Sequence, residues 1–238
     1  MNLPLTPERV CDFGLSTLRP LLGAFPGRVF LAGGAFKTLL HGRPPRDLDL
    51  WAPSAEDRRQ LVDHLVARGA EPRPRHAYSD VLAYLGQEVE VPDAVEPQLL
   101  VDRLARFDLA LSAVGVEWDA GRVRPSVHPL ADEAVARREI LLLRPLVNWK
   151  HVLGTMARAH RYAAELGWPF PVEEEAAAWV LFESQNHEEQ ARMVERYRNT
   201  AIPDASVLAG ALLRMRRVSD PDRGGGRHRH PPSLHARR

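Results

Sequence analysis

Asp47 and Asp49, in Arg46-Asp47-Leu48-Asp49-Leu50-Trp51, are the residues of this 238-residue chain best spaced to do chemistry together. The polar–apolar alternation around them predicts a half-buried strand. Residues two apart on a strand share a face, so both carboxylates point one way while Leu48 and Leu50 anchor the strand from behind. Two convergent carboxylates suit Mg²⁺, which takes one or two of them and completes its shell with water and substrate phosphates. A pair of ions so held can stabilise the attacking and leaving oxygens of an in-line phosphoryl displacement. Upstream, Gly33-Gly34 separates the apolar run Arg28–Ala32 from Phe36, Leu39 and Leu40 at helical spacing. A strand–Gly-Gly–helix turn lets backbone N–H groups approach a triphosphate closely. A lone D-x-D is usually a turn or a solvated strand face, and a lone Gly-Gly says less. Their occurrence in the order strand, turn, helix, loop, strand is what points to nucleotide chemistry.

The run Gly33–Leu50 resembles the head domain of tRNA CCA-adding enzymes and bacterial poly(A) polymerases, within the DNA polymerase β-like nucleotidyltransferase superfamily. That group shows G-G-x-V-R-D and then L-L-x-G-R-P-P-x-D-x-D-L, and Leu39–Leu50 fits almost without change. Lys37 and Thr38 stand where the pattern has Arg and Asp; Lys37 keeps the charge but loses the bidentate fork. The resemblance implies an α+β head, a mixed sheet with flanking helices, and the helical pattern beyond Pro145 adds a small all-helical C-terminal domain in place of the family's long body. It implies transfer of a nucleoside monophosphate from an NTP to an acceptor hydroxyl, with two Mg²⁺ ions (Mn²⁺ as a substitute). Asp47, Asp49 and Glu90 would be the catalytic carboxylates and metal ligands, and Gly33, Gly34 and Lys37 would hold the triphosphate.

The third carboxylate has rivals. Val89-Glu90-Val91 resembles the family's later acidic strand, which favours Glu90, but Glu88 shares its face by parity and Asp108 begins the next strand-like run. Arg106-Phe107-Asp108-Leu109-Ala110-Leu111-Ser112-Ala113 resembles R-R-D-F-T-I-N-A, which implies that Arg106 and Asp108 serve the nucleotide. Arg158-Ala159-His160-Arg161-Tyr162-Ala163-Ala164-Glu165-Leu166-Gly167-Trp168 is similar to R-A-x-R-F-A-A-x-L-G-F. Arg158 and Arg161, three apart on a helix, could reach phosphate. The family's base-reading E-D-x-x-R has only a loose echo in Glu188–Arg192, a spacing common on exposed helices.

These side chains need a scaffold. Thr6-Pro7 predicts a helix start, with the helix running towards Leu18 and stopping before Pro20. Ser54 and Asp57 form a capping box for a helix reaching Gly69. Val81–Leu85 and Glu88–Val91 read as a hairpin around Gly86-Gln87, Pro97–Ala105 as a helix and Asp108–Trp118 as one central strand turned back at Asp119-Ala120-Gly121. From Pro145 the pattern is helical, near Val152–Ala163, Glu173–Glu183, Glu188–Arg198 and Ala205–Arg217. The expected organisation is a head over residues 1–143, a helical domain over 144–218 and a disordered Arg/His-rich tail over 219–238.

Composition narrows the partners. The net charge is +1, yet from Arg214 onward there are eight Arg against two Asp, leaving 24 basic and 29 acidic residues before it. An acidic body with a short basic tail is not a whole-surface nucleic-acid binder. One cysteine, Cys11, excludes an internal disulfide framework, and no apolar run of membrane-spanning length occurs. The expectation is a cytoplasmic enzyme with no membrane partner, using an NTP. Its acceptor is read as a small molecule or protein, with RNA 3′-end addition as the alternative and a silent nucleotide-binding module as a third. The histidines His228, His230 and His235 read as part of the tail rather than as metal ligands.

Overall fold

The computed structural model describes residues 5–200 and 203–219. In chain order the elements are α1 (Pro7–Leu22), β1 (Arg28–Ala32), a 3₁₀ turn (Gly34–Lys37), α2 (Thr38–His41), β2 (Asp47–Trp51), α3 (Ala55–Ala67), β3 (Glu71–His76), β4 (Ser79–Tyr84), β5 (Gln87–Pro92), α4 (Leu100–Leu104), a 3₁₀ turn (Ala110–Ser112), β6 (Val114–Asp119), β7 (Arg122–Val127) and α5 (Pro129–Arg137). A further 3₁₀ turn (Trp149–His151) leads into α6 (Val152–Leu166), α7 (Val172–Glu183), α8 (His187–Arg198) and α9 (Ala205–Ser219).

The seven strands form one sheet in the order β3-β4-β5-β2-β1-β6-β7. Every neighbouring pair is antiparallel except β2 and β5, which run parallel. Leu31 of β1 faces Leu50 of β2 and Val116 of β6 across the ladders, and a Cβ on Gly14 of α1 would meet Val116. That face lies under α1. The adjacent Gly115 instead approaches Leu100 of α4, so α4 covers the other face, the one to which Asp47 and Asp49 belong. The mixed sheet with flanking helices is the α+β architecture expected, and the chain after Trp149 is helical as far as it is described.

Several boundaries differ from expectation for local reasons. Thr6 caps α1, accepting from Arg9 N at 3.4 Å, but the helix continues through Pro20. Proline forfeits one hydrogen bond to the carbonyl of exposed Ser16, which water can satisfy, so the penalty falls in the last turn rather than the interior. The Asp108–Trp118 run is not one strand: Ala110–Ser112 is a 3₁₀ turn and β6 starts at Val114. The hairpin turn is Leu85-Gly86, both at positive φ, one residue earlier than the glycine alone suggested. Strand β3 escaped the sequence reading because Pro72 and Pro74 interrupt it; it is a fully exposed edge strand, where proline costs little. Ser54 caps α3 as expected, accepting from Asp57 N at 3.0 Å.

Helix α6 packs on α7, α8 and α9 and carries Thr155, Arg158, Tyr162 and Glu165 back to the sheet. The buried side chains of sheet and helices form one continuous core. Cys11 is half-buried, its Sγ 3.6 Å from Val123 O.

Candidate active site

The parallel pairing of β2 with β5 builds the site. It sets Asp47 opposite Glu88 and Asp49 opposite Glu90, so four carboxylates line one face of two adjacent strands. One oxygen each of Asp47, Glu88 and Glu90 lies within 4.8 Å of the others, a spacing a single cation can bridge. Asp49 sits deeper. Burial, then the charges of Asp47 and Glu90, push its carboxyl up to about 7. Such a cluster calls for positive charge, and Arg46 supplies some, its Nε donating to Asp47 Oδ2 at 2.9 Å.

Gly33 adopts φ 109°, a conformation costly for any other residue, and a Cβ there would lie 3.1 Å from Asp49 Oδ2. The turn thus brings backbone against the deepest carboxylate. Gly34 is needed for a different contact: its Cβ would come within 2.8 Å of Tyr162 Oη, which is hydrogen-bonded to Ser112 Oγ at 3.0 Å. The helix expected after this turn is only a 3₁₀ turn and the four-residue α2, ended by Gly42 in the left-handed conformation. It therefore offers a few N–H groups and no long helix dipole.

Lys37 points into a cleft of about 190 Å³ lined by Gly34, Thr38, Arg46, Asp47, Arg161 and Glu165, among others. Its Nζ stands 3.5 Å over the Tyr162 ring and is paired with Glu165; burial lowers its pKa despite that partner. Arg161 lines the same cleft, half-exposed, 3.9 Å from Glu165. Thr38 Oγ1 is buried there without a hydrogen-bond partner among the described residues.

Of the other expected nucleotide residues, Arg158 is near enough to feel the charge of Asp49, while Asp108 and Arg106 are engaged elsewhere. Asp108 accepts from Thr155 Oγ1 at 2.8 Å and pairs with Arg158 at 2.9 Å, so it joins sheet to α6 and is not in the convergent acidic group. Arg106 is exposed, its carbonyl taken by Asn148 Nδ2 at 3.3 Å. Glu188, exposed, and Glu189, half-buried, both pair with Arg192 on α8. Glu173–Glu175 occupy the first turn of α7, where the dipole favours them. The tail histidines lie outside the described residues.

Four contributors carried no sequence signal. Ser79 and His76 touch Glu90 from the unanticipated hairpin β3–β4. Glu165 fills a variable position of the helix pattern. Arg103 is 4% exposed, donates to the carbonyls of Ala94, Val95 and Pro97, and stacks 4.5 Å over Trp51. Trp51 follows Asp49 on the same strand face, so this buried guanidinium braces the floor beside the carboxylates.

No family model matches the chain, and no curated protein does. Solved structures do. A CCA-adding enzyme with ATP matches over 90% of this chain and 55% of its own, at 17% identity and TM-score 0.57. The Thermotoga maritima CCA-adding enzyme complexed with tRNA matches over 93% and 57%, at 14% identity and TM-score 0.54. A tRNA nucleotidyltransferase complexed with a primer tRNA and an incoming ATP analogue matches over 88% and 60%, at 16% identity and TM-score 0.52. The chain thus spans somewhat over half the length of these proteins. Coverage of this extent reaches past the sheet into the helices. The likeness is one of fold: the mixed sheet with its flanking helices, and the helices that follow it, match the arrangement in these structures.

Proposed function

We propose that the chain is a metal-dependent nucleotidyltransferase that moves a nucleoside monophosphate from an NTP to a hydroxyl of RNA. The observation that carries the reaction class is the convergence of Asp47, Glu88 and Glu90, with Asp49 behind them, beside a cationic cleft. This all-oxygen donor set fits Mg²⁺ or Mn²⁺. Asp47 and Glu90, with Glu88 beside them and Asp49 behind, would hold the metal, which when bound neutralises charge developing on the transferred phosphate. Lys37 and Arg161 would attract the triphosphate, Lys37 exchanging Glu165 for phosphate oxygens. The Gly33-Gly34 backbone admits that anion closely. Asp108, fixed by Thr155 and Arg158, would present its carboxylate edge to the nucleotide. Positioning and charge complementarity do the work, with no covalent intermediate on the protein.

RNA displaces a small molecule or protein as the leading acceptor because the structural likeness to proteins seen with tRNA extends through the helices. Two exposed cations, Arg106 and Lys150, support it, with Arg196 reaching Lys150 O at 2.9 Å close to the Asp108–Arg158 pair. A nucleotide-using enzyme of this kind belongs where NTPs are abundant, the cytoplasm. Among the described residues no helix is long and apolar enough to cross a membrane.

The test is incubation with each labelled NTP and Mg²⁺, offering RNA pools, metabolites and the protein itself as acceptors. Label appearing at RNA 3′ ends, and lost in Asp47→Ala, is the expected result. Label on metabolite or protein returns the acceptor to those classes. No transfer to any acceptor, with NTP still bound, makes the chain a nucleotide-binding module.

A further inference from the structure

The carboxylate of Glu90 is held at both oxygens by the edge hairpin β3–β4. Ser79 is 5% exposed and its hydroxyl donates to Glu90 Oε2 at 3.0 Å. His76 Nδ1 lies 3.3 Å from Glu90 Oε1. In the ladder Glu90 faces Val81, which makes Ser79 its diagonal neighbour on the same face. The frame around these residues is itself tied down. Arg58 of α3 donates to the carbonyls of Val91 and Pro92, the two residues after Glu90, and pairs with Asp80, the residue after Ser79. Arg75, adjacent to His76, pairs with Asp80 at 3.1 Å and also with Asp93. An unrestrained glutamate near a sheet edge samples several rotamers, whereas a hydroxyl fixed on the neighbouring strand selects one.

We propose that Ser79 is a positioning residue for the metal site: acting through Glu90, its buried hydroxyl fixes the direction in which that carboxylate offers its remaining lone pairs to a cation shared with Asp47. This rests on the metal-dependent reading above. The neighbours that orient a ligating carboxylate are worth roughly 10–100-fold in metal affinity or activity. Sequence could not mark Ser79, because its role exists only once β4 pairs with β5.

The experiment measures Mn²⁺ binding directly, by the paramagnetic resonance of free Mn²⁺ titrated with the full chain in the absence of nucleotide. Ser79→Ala weakens binding about tenfold with unchanged circular dichroism, and Ser79→Thr restores it. Ser79→Cys keeps the volume but donates weakly; it shows the same weakening and decides the matter if the alanine variant does not fold. Wild-type Mn²⁺ affinity in Ser79→Ala or Ser79→Cys overturns the proposal, as does failure of Ser79→Thr to recover it. Failure of the wild-type protein itself to bind Mn²⁺ overturns the metal-dependent reading and this inference together.

Discussion

Asp49→Asn should leave the metal-free protein more stable than wild type while abolishing transfer. Burial, with the charges of Asp47 and Glu90, raises the Asp49 carboxyl from 3.8 to about 7. Each unit is worth about 1.4 kcal/mol, so ionising this side chain costs the metal-free fold at most about 4 kcal/mol. The sign follows from proton counting. Between the unfolded pKa near 4 and the folded value near 7, the native state keeps a proton that the unfolded chain has lost. Stability therefore falls as pH rises through that window and levels off above it. Asparagine has nearly the same shape and no charge, so the slope disappears. Melting temperatures in EDTA should coincide at pH 4 and diverge towards pH 8, the variant higher by at most roughly 8–16 °C at about 2–4 °C per kcal/mol for a chain of this size. Added Mg²⁺ at pH 8 should stabilise wild type and not the variant. Equal melting curves at pH 8, or a less stable variant, would refute the idea that the site stores unfavourable charge for a cation to relieve.

Other changes probe the scaffold. Gly33→Ala forces a side chain into φ 109° and against Asp49; a stability loss of about 1–3 kcal/mol and a lost turnover are expected, and wild-type kinetics would dissociate the turn from the carboxylate. Asp108→Ala leaves Arg158, 41% exposed, without its partner. The cost should fall between the ~1 kcal/mol of a surface pair and the ~3–5 kcal/mol of a buried one. A double-mutant cycle with Arg158→Ala should show coupling, and simple additivity would mean that the pair does not tie α6 to the sheet. Glu165→Gln should lower the KM for NTP at similar kcat, because Lys37 then has no carboxylate to exchange for phosphate; a raised KM would show that Glu165 orients Lys37 productively.

Local chemistry was legible in the sequence wherever a residue's role depends on its near neighbours. The alternation around Asp47 and Asp49 already put both carboxylates on one face, since side chains on a strand repeat every two residues. The caps at Thr6 and Ser54 and the turn at Gly33 follow equally from hydrogen bonding or φ within a few residues. Pairing between distant strands has no such local signature. Only the fold set β5 parallel to β2, and so brought Glu88 and Glu90 to aspartates some forty residues earlier. It turned proline-broken Glu71–His76 into an edge strand whose hairpin reaches Glu90, because an edge needs only half its hydrogen bonds. It also divided the acidic residues: Asp108 answers Arg158 on α6, while Asp47, Glu88 and Glu90 converge, with Arg46 on Asp47 and His76 on Glu90. Residue type specifies what a carboxylate can bind; which cation it meets depends on elements packed from far along the chain.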